Sequence, residues 1–150
     1  MRRTLFAQHD DACFAVYVRL HRSATPADEA RFQRRTEDWL ARHGLKADGA
    51  QTAFVVLADR ELSGEDQANT LLAMLDDPAV REARVGPLIV DDLELAAQVA
   101  GRLWVEADLY DPLVHAARVL YEAGRLDGNG LLKALGGLIH RPSEHVEDQP

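Results

Sequence analysis

The stretch ACFAVYVRLH, residues 12–21, determines which kind of fold the rest of the chain can join. Successive side chains of a β-strand point to opposite faces of its sheet. Here one face is wholly apolar, while the other becomes polar towards its end. The apolar face carries Phe14, Val16, Val18 and Leu20, and the other carries Cys13, Ala15, Tyr17 and Arg19. We therefore predict a strand that buries one face in a hydrophobic core.

A helix is predicted directly after this strand. Thr25 is a suitable N-cap, Pro26 fits the first helical position, and Asp28 completes an acidic capping box. The helix should end near His43, because Gly44 favours the left-handed conformation that terminates helices. Its buried stripe follows helical spacing and consists of Phe32, Thr36, Trp39 and Leu40. The pattern predicts an apolar inner face and a basic outer face.

A hairpin is predicted next along the chain. Asp48-Gly49 is a pair typical of tight hairpin turns. We expect it to join a short strand at 45–47 to a longer strand at 52–58. The longer strand is apolar on both faces, as is typical of a central strand that is covered on both sides.

A second helix and a closing strand complete the first ninety residues. Ser63-Gly64-Glu65-Asp66 is a helix start, and Asp76-Asp77-Pro78 is a helix stop. We expect a short turn or helix at 78–82, then a strand at 83–90 whose Pro87 restricts it to a sheet edge or a bulge. The order β-α-β-β-α-β predicts an α+β fold, a two-layer, ferredoxin-like-type sheet with two helices on one face.

The last sixty residues have a helical pattern. After a core at 1–91, we predict an extension at 92–142 with three helices, followed by a flexible acidic tail at 143–150. The helices are expected at 93–104, 111–124 and 131–139. We expect this extension to be packed on the core, with its helices on the open face of the sheet; the alternative is that they leave an apolar face exposed for a partner or a second copy of the chain.

Composition and charge restrict the class of protein. With 150 residues, 47% of them apolar, the chain is typical of one globular domain. Residues 1–90 carry 12 basic and 14 acidic side chains, and residues 91–150 carry 5 and 11. This balance excludes a basic surface over the whole chain and leaves open a local basic patch in the first half. The single cysteine, Cys13, excludes an internal disulfide and a cysteine-based zinc site. Because no apolar run is long enough for a signal peptide or a membrane span, we expect a cytoplasmic protein with no membrane partner.

Residues 10–91 resemble the YggL family, small bacterial proteins described as binding the large ribosomal subunit. The motifs, in order, are FAVYVRL, the helix end Trp39-Leu40, Gly44-Leu45, Asp48-Gly49, Phe54, the helix start at 63–66 with Leu72 and Leu75, and VREARVGPLIVD at 80–91. The last motif is the most specific. Three features differ. The family's basic arm is reduced to Arg2 and Arg3, Asp92-Leu93-Glu94 stands where the family has aromatic residues, and the helical extension at 92–140 has no counterpart in the family. The resemblance implies a protein that associates with the large ribosomal subunit.

Arginines are the candidate RNA-binding residues, since their guanidinium groups match phosphate oxygens and each such contact adds salt-sensitive affinity. The set consists of Arg19, Arg22, Arg31, Arg34 and Arg35. The last three lie on the predicted first helix with Arg42, and the first two end the strand that leads into it. The alternative is a solvated face with internal ion pairs, because the helix also carries Asp28, Glu29, Glu37 and Asp38.

No catalytic, metal or cofactor site is predicted. The carboxylates at 91–94, 108 and 111 stand at predicted helix starts or in a loop, where they stabilise helix N-termini. The six histidines show neither an HExxH nor a His-x3-His pattern, and Asp127-Gly128-Asn129-Gly130 lacks the later positions of a calcium loop. Cys13 has no catalytic motif around it. We therefore expect a protein that is not an enzyme.

Two functions remain open from the sequence. The first is a non-enzymatic cytoplasmic protein that associates with the large ribosomal subunit or other translation machinery, with no DNA partner. The alternative is a protein-interaction module or inhibitor. Its acidic helical second half, with a net charge of −6, would dock on a basic partner.

Overall fold

The computed structural model describes residues 12–90, 105–108 and 111–139, and one long strand lies at their centre. This strand, β1, spans Ala12–Leu20. Phe14, Val16 and Val18 are buried in the main core, whereas Tyr17, on the other face, is 42% exposed. The predicted alternation is confirmed from Val16 onwards, whereas Cys13 and Ala15 on the other face are buried as well.

Within the described residues, five shorter strands join β1 in an antiparallel sheet. They are β2 (Leu45–Ala50), β3 (Ala53–Ala58), β4 (Val80–Val85), β5 (Ile89–Val90) and β6 (Val105–Asp108). The strand order is β2-β3-β1-β4-β6, and β5 pairs with the first residues of β1. Every pairing among the described strands is antiparallel.

Four helices accompany the sheet in the part of the chain that the structure describes. They are α1 (Pro26–Arg42), α2 (Gly64–Asp76), α3 (Pro112–Glu122) and α4 (Gly128–Ile139). The start of α1 has the predicted capping box. The Thr25 hydroxyl accepts a hydrogen bond from the Asp28 amide at 3.1 Å, and the Thr25 amide donates to the Asp28 carboxylate at 2.9 Å. The predicted α+β class is confirmed, and none of these helices is long and apolar enough to cross a membrane.

The helices α1, α2 and α4 share one core with one face of the sheet. Leu131 and Leu135 of α4 are fully buried there, together with Ala107 of β6. Cys13 and Leu57 form a separate small cluster on the opposite face. The expectation that the extension packs on that open face is therefore wrong for α4, which enlarges the helical layer instead.

The predicted hairpin turn at Asp48-Gly49 is also wrong. Both residues lie inside β2 and pair with Val55 and Phe54 of β3. The turn falls two residues later, at 51–52, because register is set by the pairing of whole strands rather than by one dipeptide. Gly49 has a φ of +133°, a backbone conformation that residues with a side chain rarely adopt. Glycine at this position therefore allows a distorted strand rather than a turn.

The closing segment differs from its prediction in two ways. Strand β4 already begins at Val80, where a turn or helix was expected. The single strand expected at 83–90 is divided into β4 and β5 by residues 86–88, which include Pro87. Proline cannot donate to a ladder, so pairing is interrupted where it occurs.

The extension was predicted to be purely helical, but it also contains a strand. Strand β6 pairs with β4, from Glu82 opposite Asp108 to Val85 opposite Val105, and thereby lengthens the sheet. Two of the three predicted helices are present as α3 and α4. The helix predicted at 93–104 and the tail predicted at 143–150 lie outside the described residues, as does the domain boundary at 91.

Candidate nucleic-acid interface

The outer face of α1 carries a stripe of four arginines. A residue of an α-helix is rotated by about 100° from the one before it. Positions 31, 35 and 42 therefore align on the side away from the buried Phe32 and Leu40, with position 34 beside them. We call Arg31, Arg34, Arg35 and Arg42 the arginine stripe. Asp28 and Asp38 are the acidic residues beside it.

Arg35 joins α1 to the turn that follows α2. Its Nε and Nη2 atoms donate to the two carboxylate oxygens of Asp77, each at 2.7 Å. The Asp77 side chain is only 8% exposed and also accepts from the Ala79 amide at 3.0 Å. The hydrogen bonds to Asp77 raise the pKa of the Arg35 guanidinium above its usual value. Arg35 is thus held in place by the fold.

The other stripe arginines are less engaged. Arg31 forms an ion pair with Asp28 on the same helix. Arg34 and Arg42 are exposed and form no ion pair with another described residue, although Asp38 is four positions from each. Arg22, exposed in the turn between β1 and α1, is also without an ion-pair partner in the described ranges. Arg31 is thus paired within the helix, whereas Arg34 and Arg42 are exposed to solvent, and the alternative of a solvated face with internal ion pairs remains open.

Two clefts lie along the stripe, one on either side of the Arg35–Asp77 bridge. The larger, about 340 Å³, is lined by Arg35, Trp39 and Arg42 from α1, and by residues of the α2 end and the following turn. The smaller, about 210 Å³, is lined by Arg31, Arg35 and the turn at Pro78. The Trp39 ring stacks on His43 with its centroid 4.1 Å away. Guanidinium groups beside an aromatic side chain are a combination that suits a nucleotide strand.

The carboxylates at the larger cleft are largely neutralised by the fold. Asp76 accepts two hydrogen bonds from Arg118 of α3, at 2.6 and 2.7 Å, and Asp77 is paired with Arg35. Asp38 is the remaining acid in the lining. Its charge is opposed by two arginines, Arg34 and Arg42, each four residues away on the same helix. Because Arg35 is already paired with Asp77, Arg42 and Asp38 balance each other in the lining, and Arg34 beside them adds one positive charge.

Arg19 lies apart from the stripe. It points to the sheet face opposite α1 and forms an ion pair with Glu82 of β4 at 2.6 Å. On the same face the Arg84 guanidinium lies 5.6 Å from the centroid of the Tyr17 ring, a cation–π contact. The structure thus brings Arg31, Arg34 and Arg35 together, with Arg22 in the preceding turn, and separates them from Arg19.

Two residues of this site were not among the five predicted. Arg42 was noted on the helix, and its spacing of seven from Arg35 and eleven from Arg31 was sufficient to place it in the stripe. Trp39 was assigned to the core, but it also lines the larger cleft. The partner Asp77 had no signal in the sequence, because 42 residues separate it from Arg35.

In the described ranges, no group of three or more His, Cys, Asp or Glu side chains could hold a metal ion. Comparisons of the chain with protein-family models, with curated proteins and with solved structures found no match.

Proposed function

We propose that this chain is a non-enzymatic cytoplasmic binding protein that contacts RNA of the translation machinery through the arginine stripe of α1. The observation that carries this proposal is the row of four arginines on one helix: Arg35 and Arg42 line the same cleft as Trp39, and Arg34 and Arg42 are unpaired among the described residues. Unpaired guanidinium groups bind phosphates without first giving up a partner.

The resemblance to the YggL family makes the large ribosomal subunit the first RNA surface to test. The element order β-α-β-β-α-β and the strand order β2-β3-β1-β4 support the finer proposal of a ferredoxin-like-type unit over residues 12–90, with α1 and α2 as its crossover helices. The net charge of −8 argues against non-specific binding to nucleic acid, so contact would be confined to the stripe.

The choice of variant matters for the experiment. Reversing the charge of Arg35 would leave the nearly buried Asp77 beside a second negative charge and would damage the fold. Arg34 and Arg42 have no such structural role in the described part of the chain. The informative variant is therefore the double substitution Arg34→Glu and Arg42→Glu, with Lys133→Glu on α4 as a single charge reversal outside the stripe.

The measurement is co-sedimentation of the full chain with purified large ribosomal subunits over a series of salt concentrations. We expect binding that weakens as salt rises. The double variant should bind at least about tenfold more weakly and show a salt slope smaller by about two, because two phosphate contacts are lost. Binding by the double variant equal to that of Lys133→Glu would refute the role of the stripe.

A further inference from the structure

Three of the four large apolar side chains that are exposed in the described part of the chain lie on α3. Leu113 is 42% exposed, Val119 49% and Leu120 45%. Exposed apolar side chains that are scattered singly need no explanation, but a cluster on one short helix marks an interaction surface. We call Leu113, Ala116, Val119 and Leu120 the α3 patch.

The α3 patch is separate from the face that α3 uses inside the molecule. Val114 and Ala117 are buried in the main core. Tyr121, one turn further, packs against that core, and its hydroxyl donates to the Asn69 side chain of α2 at 2.7 Å. Helical spacing puts positions 113, 116 and 120 on an adjacent side. The fold therefore uses one apolar side of α3 and leaves a second one exposed.

Opposite charges border the two ends of the patch. Asp111 lies at the Leu113 end, where its carboxylate accepts a hydrogen bond from the Leu113 amide at 2.8 Å. At the other end, Gly124 adopts a φ of +78° and the Arg125 amide donates to the Leu120 carbonyl at 2.8 Å. The Arg125 side chain is exposed and forms no ion pair with a described residue. The surface thus runs from an acid, across apolar residues, to a base.

We propose that the α3 patch packs against the same patch of a second copy of this chain, with the two α3 helices antiparallel. A two-fold axis near position 118 makes the surface complementary to itself. It brings Arg125 of each copy to Asp111 of the other, and Ala116 to Leu120, because the members of each pair are equally distant from position 118. The antiparallel arrangement also opposes the two helix dipoles favourably.

The size of the contact determines how strong the dimer is. One helix face per copy is smaller than the roughly 800 Å² per partner of a standard interface. The association should therefore be weak and should depend on protein concentration. This surface does not include the arginine stripe, so the proposal is independent of RNA binding.

The test is sedimentation velocity of the full chain from low to high micromolar concentration. We expect a monomer–dimer equilibrium whose dissociation constant rises at least about tenfold in Leu120→Glu, which buries a charge at the contact. Arg125→Glu should also weaken the dimer, because it sets like charges opposite each other. Adding Asp111→Asn to Arg125→Glu removes one of these like charges and keeps the helix N-cap, so the double variant should regain part of the lost affinity. Lys133→Glu is the control with the same change of charge on an exposed base of α4, and should leave the dimer unchanged.

A covalent test locates the contact. Val119 lies one residue from the proposed axis, so the Val119→Cys variants of two copies should form a disulfide under oxidation, whereas Ala30→Cys on the exposed side of α1 should not. A monomer at every concentration would overturn the proposal, as would a dimer that Leu120→Glu leaves intact. Failure of a thiol reagent to reach Val119→Cys in a monomer would also overturn it, since the chain itself would then cover the patch.

Discussion

Arg34 and Arg35 are neighbours in sequence, but their side chains have different roles in the molecule. Arg35 donates two hydrogen bonds to a nearly buried carboxylate, whereas Arg34 has no ion-pair partner in the described ranges. We expect Arg35→Ala to lower the free energy of unfolding by about 1–3 kcal/mol, because Asp77 is left without its charged partner. Arg34→Ala should change it by less than about 0.5 kcal/mol. Urea unfolding of both variants tests this, and equal losses would show that the Arg35–Asp77 bridge does not stabilise the fold.

Thr36 provides a second test at the scale of one residue. Its side-chain hydroxyl is buried between α1 and the rest of the core, and it has no hydrogen-bond partner among the described residues. Thr36→Val keeps the shape and removes the unsatisfied group, so we expect stability to rise by about 1 kcal/mol. Thermal unfolding measures the change. A loss of stability would mean that the hydroxyl is bonded in solution, for example to a water in the neighbouring cleft.

Local sequence predicted the faces of these residues but not their partners. Helical periodicity was enough to place Arg31, Arg34 and Arg35 outside and Phe32 inside. It carried no information about Asp77, because the contact depends on how the end of α2 meets α1. The position of Arg19 could not be predicted for the same reason. Strand alternation placed Arg19 on the face of β1 opposite Val16 and Val18, but only the assembled sheet and helices show that this face is turned away from α1.

At the scale of elements, α2 and α4 meet at their N-termini, and glycine makes that contact possible. The Gly128 amide donates to the Glu65 carboxylate at 2.6 Å. A Cβ on Gly128 would lie 2.6 Å from the Glu65 amide nitrogen and 2.7 Å from its Cα. These are backbone atoms, which cannot move aside as the end of a flexible side chain can. The two helices would have to separate to admit any side chain.

Two glycines of α4 therefore predict opposite responses to the same substitution. Gly128→Ala should destabilise the protein by about 1–3 kcal/mol, as overpacking does. Gly136 lies inside α4, and a Cβ added there would meet no described atom within 4 Å, so Gly136→Ala should stabilise by about 0.5–1 kcal/mol through helix propensity. Chemical denaturation of the pair is the measurement. Changes of the same sign would contradict the close contact of α2 and α4.

The start of α2 links stability to pH. Burial alone would raise the pKa of Asp66, but hydrogen bonds from Arg60 and from the Ser63 amide outweigh it, and the pKa is lowered below its usual 3.8. Arg60 also donates to the His43 carbonyl at 3.0 Å, so this carboxylate helps to hold the end of α1. A carboxyl with a lowered folded-state pKa stabilises the protein above its unfolded pKa, and that stabilisation is lost as the pH falls through the folded value.

We expect Asp66→Asn to be less stable than the wild type at neutral pH and the difference to shrink as the pH falls below about 4. Urea midpoints measured from pH 7 to pH 2 test this, with Asp59→Asn as an exposed control. A difference that does not depend on pH would mean that the ionised carboxylate contributes nothing beyond its shape.

The elements that were mispredicted show where pairing overrides local signals. Asp48-Gly49 has the composition of a turn, yet six consecutive pairs between β2 and β3 hold it inside a strand. The four residues of β6 form too short a segment for a period to be recognised, and the strand exists because the edge of β4 is there to pair with. Both errors come from pairing between strands, which the local sequence of one segment does not report.

At the scale of the whole molecule, the described part of the chain after residue 91 is built into the same core as the part before it. Strand β6 covers one edge of β4, and α4 covers one side of α2. Leu131 and Leu135 are as fully buried as Phe14 at the centre of the sheet. The change of composition near residue 91 suggested an added module, but composition does not report which residues share a core.

This continuity predicts how the chain responds to truncation. A chain that ends at residue 91 loses β6, α3 and α4, so the β4 edge and the side of α2 beneath Leu131 and Leu135 are exposed to water. We expect it to lose cooperative thermal unfolding and to aggregate, because each leucine of this kind contributes about 2–5 kcal/mol when buried.

A chain that ends at residue 142 keeps all of these contacts and is the control. Circular dichroism melting and light scattering measure the outcome. Cooperative unfolding of the shorter chain would instead show that residues 1–91 fold on their own, and the stripe of α1 could then be studied without the rest of the molecule.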